Sequence, residues 1–351
     1  MMSGDEWEHA EQNMLNATQY AAERKHPDWR DFCLGDRVRA ERNRTMTLTD
    51  EERAELRGEL LFTPIPPGLD IRDRVICGDT FEALASIPRR SVDLMLADPP
   101  YNLNKTFHRN SFSRMDAKRY AEWLDSWLRL ALPALKPDAS VYICGDWRSS
   151  SAIFEVMSNY MYVHNRITWE REKGRGSVRN WKNASEDIWF GSLSKRYYFN
   201  VGAVMMKRRV LAPYRDEDGK PKDWEEREDG NFRLTHPSNL WTDLTVPFWS
   251  MPENTDHPTQ KPEKLAAKII LASSRPGDVV LDPFLGSGTT AVAAKKLGRH
   301  FFGIELEEEY CLLALKRLRL ATKDSSIQGY HDGVFWERNT LGLQKKPGKS
   351  L

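Results

Sequence analysis

Residues 92–97 form an apolar run broken only by Asp93, and Asp98-Pro99-Pro100-Tyr101 follows it directly. Such a run reads as a largely buried strand of a parallel sheet. In open α/β sheets, ligands bind at the carboxyl ends of the strands. Two consecutive prolines lack backbone donors and fix φ twice, so this turn is stiff and its carbonyls are held in place. A fixed carboxylate, a fixed carbonyl and an aromatic ring suit an aromatic amino group, offering acceptors for its hydrogens and a face for stacking. Taken alone, the four residues fit a plain strand end with a proline turn equally well.

The pattern recurs from Arg74 onward. Val75–Cys77 runs into Gly78-Asp79, Ser140–Cys144 into Gly145-Asp146, Val279–Leu281 into Asp282, and His300–Ile304 into Glu305. Helices are expected between them: Thr80–Ser86, residues 117–135, a stretch ending near Ser273, an alanine-rich segment after Thr290, and Glu307–Leu320. In 117–135, Trp123, Trp127 and Leu130 fall on one face and read as core. The segment ICGD occurs at 76–79 and at 143–146 with unlike flanks, so it marks two strand ends built alike rather than a repeat. Alternating strands and helices predict an α/β fold.

A chain of 351 residues can bury a substantial core, and its net charge of +1 does not announce a polyanionic partner. Cys33, Cys77, Cys144 and Cys311 form no CxxC pair, so neither a zinc site nor a disulfide framework is indicated, and no metal is expected. The acidic start MMSGDEWEHAEQ lacks an apolar segment, and no stretch approaches a membrane span, so a cytoplasmic setting is expected.

Residues 1–70 are polar and helix-prone, an extension that could serve as an arm, a helical module or a dimer element. Within it, Thr49 and Glu52 make a capping box opening a helix to about Leu61, and Phe62–Gly68 (FTPIPPG) reads as a linker. Residues 165–256 read as loop-rich, aromatic and locally basic, with eleven basic against four acidic side chains between 166 and 209. Arg171, Lys173, Arg175, Arg179, Lys182, Lys207, Arg208 and Arg209, interleaved with tryptophans, fit phosphate contacts and base stacking. A solvated face over a Trp-rich core is the competing interpretation. The tail from Ala321 to Leu351 is polar and expected to be mobile.

Gly286-Ser287-Gly288-Thr289-Thr290-Ala291 fits the dinucleotide fingerprint G-x-G-x-x-G/A, and Glu305 lies near the spacing of a ribose-binding acid. A dehydrogenase is therefore a competitor. Asp282-Pro283 adds a carboxylate beside a cofactor end that need not be a pyrophosphate, and Asp98 has no task in hydride transfer. A cofactor with an amino-acid end and no phosphates fits better, which points to S-adenosylmethionine.

With DPPY at 98–101, HPTQKP at 257–262 and DPFLGSGTT at 282–290, the chain resembles the beta group of amino-directed DNA methyltransferases, adenine-N6 type, over about residues 71–320. The resemblance implies a permuted Rossmann-like sheet with helices on both faces, a target-recognition region within 165–256, and S-adenosylmethionine as cofactor. It implies catalytic Asp98, Pro99, Pro100 and Tyr101. It implies Asp79 at the cofactor's adenine region and Glu305 at its ribose. Thr259, Lys261, Asp282, Phe284, Gly286, Ser287, Gly288 and Thr289 would complete that site, the glycine loop, Thr259 and Lys261 at the methionine end. Asp in the first motif position leans toward adenine N6, Ser toward cytosine N4. The implied substrate is double-stranded DNA with the target base flipped out, and a homodimer and a restriction-endonuclease partner are further expectations. Cytosine-N4 transfer is the nearest alternative, an RNA or protein-amide methyltransferase a further one. A DNA-binding regulator that keeps the fold without turnover is the alternative of another class.

Overall fold

The computed structural model describes residues 42–107, 110–171, 178–210, 214–227, 230–338 and 340. Most of the N-terminal extension (1–41), Lys173, Arg175 and the end of the tail lie outside the described residues.

Helix α1 (Asp50–Arg57) opens on the capping box read from its sequence, with both reciprocal bonds between Thr49 and Glu52 present. It ends earlier than expected, at Gly58. Leu61–Phe62, expected as helix end and linker, is instead strand β1. There follow β2 (Arg74–Cys77), α2 (Thr80–Leu84), β3 (Val92–Ala97), the hairpin β4 (Lys105–Phe107) and β5 (Asn110–Phe112), α3 (Ala117–Ala131), β6 (Leu135–Gly145) and α4 (Ser150–Ser158). Next come β7 (Tyr162–Glu170), β8 (Ser185–Ser192), β9 (Met206–Arg209), β10 (Glu225–Arg227), β11 (Gly230–Thr235) and β12 (Leu240–Trp241). The chain continues with α5 (Glu263–Ser273), β13 (Val279–Asp282), α6 (Thr289–Lys296), β14 (His300–Glu305), α7 (Glu308–Lys323), β15 (Tyr330–His331) and β16 (Val334–Trp336).

Nine strands form the main sheet in the order β1-β2-β14-β13-β3-β6-β8-β7-β12. The run from β1 to β6 is parallel; β8 is antiparallel to both β6 and β7. Late strands β13 and β14 are inserted between the early strands β2 and β3, the signature of a permuted order. This sets the carboxyl end of β3, which carries Asp98, beside that of β13, which leads into the glycine turn; Leu281 is in register with Met95.

Alternation along β3 explains why both faces are covered. Leu94 and Leu96 join a core built with α5, α6 and α7, while Met95 and Ala97 join one built with α2, α3 and α4. On α3 the buried stripe is Tyr120, Leu124, Trp127, Leu128 and Ala131; Leu130, expected in the core, is 39% exposed.

Residues 165–256 contain more regular structure than expected, because β7, β8 and β12 extend the main sheet. A second sheet, β10-β11-β9-β16-β15, packs on α5 through Val204, Met206, Leu271 and Phe335. The expected tail therefore begins inside α7 and contributes two strands to this sheet, its apolar Phe335 and Trp336 being buried. Among the described residues, no helix is long and apolar enough to cross a membrane, and no cluster of His, Cys, Asp and Glu could hold a metal ion.

Candidate active site

A cavity of about 340 Å³ opens at the carboxyl ends of β2, β3, β13 and β14. It is lined by all four residues of the Asp98–Tyr101 turn and by Asp79, Thr259, Lys261, Asp282, Phe284, Gly286, Ser287, Thr289 and Glu305. Motifs separated by up to some two hundred residues thus meet in one place, with Gly288 behind the lining.

The glycine turn is built on two left-handed residues, Gly286 (φ 55°) and Gly288 (φ 89°). A Cβ on Gly286 would lie 3.1 Å from the His257 ring, and one on Gly288 would lie 2.6 Å from Cβ of Ala314 on α7. The turn is pinned from behind by Arg317, which donates to the Ser287 carbonyl (2.8 Å), Thr289 Oγ1 (3.1 Å) and Glu263 (2.9 Å). Thr289 Oγ1 in turn donates to the Lys261 carbonyl at 3.0 Å, fastening HPTQKP to the turn. Burial pushes His257 down to about 3, so its ring is neutral against Tyr310.

Glu305 accepts the Gly286 N–H and the Glu307 N–H, each at 2.8 Å, so it holds the turn as well as facing the cavity. Burial pushes both Glu305 and Asp282 up to about 7. Asp79 caps α2, accepting the Phe81 N–H at 2.8 Å, and stays exposed at the cavity lip. Phe284 packs edge-on against Trp127 of α3 with centroids 5.1 Å apart, joining lining to core.

Asp98 stands in a dense polar cluster. Its Oδ2 accepts Lys261 Nζ at 2.6 Å and its Oδ1 accepts the Tyr101 hydroxyl at 3.0 Å. The Pro100 carbonyl is taken by the Tyr120 hydroxyl at 3.0 Å. Glu186 of β8, unforeseen from sequence, shares the single proton of the Tyr101 hydroxyl with Asp98, also at 3.0 Å, and lies 3.4 Å from Lys261 Nζ. Arg171 closes the cluster, 2.7 Å from the other Glu186 oxygen. Burial alone would lower the Lys261 ammonium, but Asp98 and Glu186 outweigh it and hold it above the usual lysine value. For Glu186, burial is likewise outweighed by Lys261 and Arg171, which keep it below the usual carboxylate range. Lys261, expected at the cofactor, thus places its ammonium on the Asp98 carboxylate.

The expected DNA-binding residues do not form one patch. Arg171 lines the cavity; Arg179 and Lys182 are exposed in the β7–β8 connection, and Arg209 is exposed on β9. Lys207 is buried instead, its ammonium 5.2 Å from the Trp336 ring centroid and 3.5 Å from Glu225, and Arg208 is half-buried near Glu337. Lys207 lies on the face of β9 opposite Met206, covered by the Phe232 and Trp336 rings, which a count of charges along the chain could not show.

Residues 92–316 match the N6_N4_Mtase family, described as "DNA methylase". The type II methyltransferase M.HpaI of Haemophilus parainfluenzae is 33% identical over 260 residues, 73% of this chain and 76% of that protein. The DNA adenine methyltransferase YhdJ of Escherichia coli K12 is 34% identical over 259 residues, covering 72% of this chain and 84% of that protein. Among solved structures, the cytosine-N4-specific PvuII DNA methyltransferase superposes with a TM-score of 0.52 at 19% identity, over 72% of this chain and 90% of that one, a likeness of fold. With its permuted sheet and with motif turns converging on one cavity, the chain belongs to the N6/N4 DNA methylase family.

Proposed function

We propose that this methyltransferase transfers a methyl group from S-adenosylmethionine to the N6 amino group of an adenine flipped out of double-stranded DNA. The observation that carries the reading is the convergence of the Asp98–Tyr101 turn and the Gly286–Gly288 turn on one cavity. The lining fits that cofactor: left-handed Gly286 brings backbone to the cavity wall, and the carboxylates of Asp79, Asp282 and Glu305 stand in the same lining. Those carboxylates and the turn Gly286–Thr289 would hold it, with Phe284 and Thr259 completing the wall. When bound, it supplies a methyl group on a positively charged sulfur, ready for attack by a nucleophile.

An exocyclic base nitrogen is a poor nucleophile because its lone pair is delocalised into the ring. Asp98 and the Pro99 carbonyl accept its hydrogens and return electron density to nitrogen. The Pro100 carbonyl already accepts the Tyr120 hydroxyl, which fixes the turn from behind. Positioning is the main contribution, so Asp98 need not be a strong base: the nitrogen becomes acidic once it carries the methyl group, and it then gives up one proton to Asp98. The amino nitrogen is out of reach inside a duplex, so the nucleotide must leave the stack, and Tyr101 offers it a ring. Arg171, Arg179, Lys182 and Arg209 supply phosphate contacts. Asp in the first motif position, and the adenine-directed relative at 34% identity, favour adenine over cytosine.

Asp98→Ala is expected to lower methyl transfer at least about a hundredfold while leaving cofactor affinity largely intact. Near-normal turnover in that variant, followed with labelled S-adenosylmethionine, would remove Asp98 from the mechanism. A homodimer, a restriction-endonuclease partner and a cytoplasmic location accompany the proposal and are each open to direct assay.

A further inference from the structure

Both Asp98 oxygens are already engaged by protein donors, Lys261 and Tyr101, so an incoming amino group must compete with them for the carboxylate. Lys261 has a second carboxylate within reach, since its Nζ lies 3.4 Å from Glu186 Oε2. Glu186 already holds a cation of its own, Arg171, at 2.7 Å. Two carboxylates therefore share two cations, and the position of Lys261 depends on what else satisfies Glu186. The four side chains differ in access: Glu186, Lys261 and Asp98 are 6%, 10% and 22% exposed, whereas Arg171 is 34% exposed. Arg171 also stands at the root of the β7–β8 connection, its N–H donating to the Ala184 carbonyl at 2.7 Å, with exposed Arg179 and Lys182 farther along the same connection. Lys105 lies in the same field, its ammonium pushed down by burial and by Arg171 and Lys261.

We propose that Arg171, Glu186 and Lys261 form a gate on Asp98, in which a DNA phosphate that draws Arg171 away from Glu186 moves Lys261 from Asp98 to Glu186. A buried carboxylate left without its cation is strongly destabilised, and Lys261 is the neighbour already placed to offset this. The Asp98 oxygen released by Lys261 then accepts the amino hydrogen of the target base. Glu186 and Arg171 are positioning residues in this scheme; they act through Lys261 and do not touch the reacting atoms. Engagement of the DNA backbone is thereby coupled to readiness of the catalytic carboxylate, which suppresses transfer until the duplex is seated. The gate rests on the role given to Asp98 above.

The test is single-turnover methylation of a duplex carrying the mapped target, using the full chain as wild type, Glu186→Gln, Lys261→Met and the double variant. Glu186→Gln is expected to slow transfer about a hundredfold at saturating DNA and cofactor, because Lys261 then stays on Asp98. Cofactor affinity should change by less than about threefold, which also reports that the variant is folded. Adding Lys261→Met to Glu186→Gln should recover about tenfold or more, since no ammonium then holds Asp98 Oδ2. A purely structural role for Glu186 makes the double variant no faster than Glu186→Gln, and that result overturns the gate. So does a Glu186→Gln rate within about threefold of wild type.

A second measurement needs no variant. Neutral methylphosphonates, placed singly around the target, should at one position slow the wild-type rate at saturating DNA about tenfold, beyond any loss of affinity. No such position in a complete scan overturns the gate. A wild type that methylates no DNA overturns both the gate and the reading it rests on; an active wild type with insensitive variants overturns the gate alone.

Discussion

Gly288 adopts φ 89° and faces Ala314 so closely that a Cβ would lie 2.6 Å from its Cβ and 2.9 Å from its Cα. Gly288→Ala would meet both strain and overlap, and neither neighbour is the far end of a flexible chain. A loss of about 2–4 kcal/mol is expected, read as a lower urea midpoint with unchanged slope. An unchanged midpoint would mean that the turn yields easily. At this scale the sequence was informative where chemistry is local: Asp98, the prolines, Tyr101 and the glycines announce themselves by type and spacing. Glu186 did not, because nothing beside it in Ser185–Ser192 marks it as more than one acid in a strand. Its significance comes from Tyr101, Arg171 and Lys261, which only the fold brings to it. Glu305 was found by spacing, yet its hold on the Gly286 N–H depends on the pairing of Leu285 with Ile304, which spacing does not encode.

Helix α5 shows why element-level expectations were partly right. Its place after HPTQKP was legible, yet all eleven residues are buried, including Lys264 and Lys268, because the main sheet and the second sheet enclose it. A helical pattern with lysines reads as amphipathic only when one face meets water. Here both ammonium groups converge on Asp243, each at 2.7 Å, and Lys264 also donates to the Asp243 and Trp336 carbonyls. Burial pushes Lys268 down to about 8, although Asp243 opposes this. Removing the shared anion leaves two buried cations uncompensated, so Asp243→Asn is expected to cost about 3–5 kcal/mol. Lys268→Met leaves Asp243 with Lys264 and gains apolar contact with Trp241 and Phe335, so it should cost under about 1 kcal/mol. Equilibrium urea unfolding of the two variants checks the asymmetry; equal losses would contradict it. Strands 330–336 were read as tail because β9, the partner of β16, is more than a hundred residues away.

At the scale of the whole molecule, the permuted strand order sets two motif turns on neighbouring strand ends, and it does so by burying carboxylates. Burial pushes Glu253, Asp282 and Glu305 each up to about 7. A carboxyl group with a folded value above its unfolded one binds its proton more tightly when folded. Its stabilising contribution is full below the unfolded value, near 4, and is lost as pH rises through about 7. The thermal midpoint is therefore expected to carry a falling component between about pH 5 and 8, and Asp282→Asn should flatten it. A slope identical in wild type and variant would show that Asp282 is not ionised against burial.

The central claim is that Asp98 activates an adenine amino group beside the glycine turn. Nucleoside mass spectrometry of DNA incubated with the protein and labelled S-adenosylmethionine tests it most directly. The account predicts labelled N6-methyladenine, lost in Asp98→Ala. Labelled N4-methylcytosine would contradict the base assignment, and no labelled nucleoside on several genomic DNAs, with cofactor binding established, would contradict the activity itself.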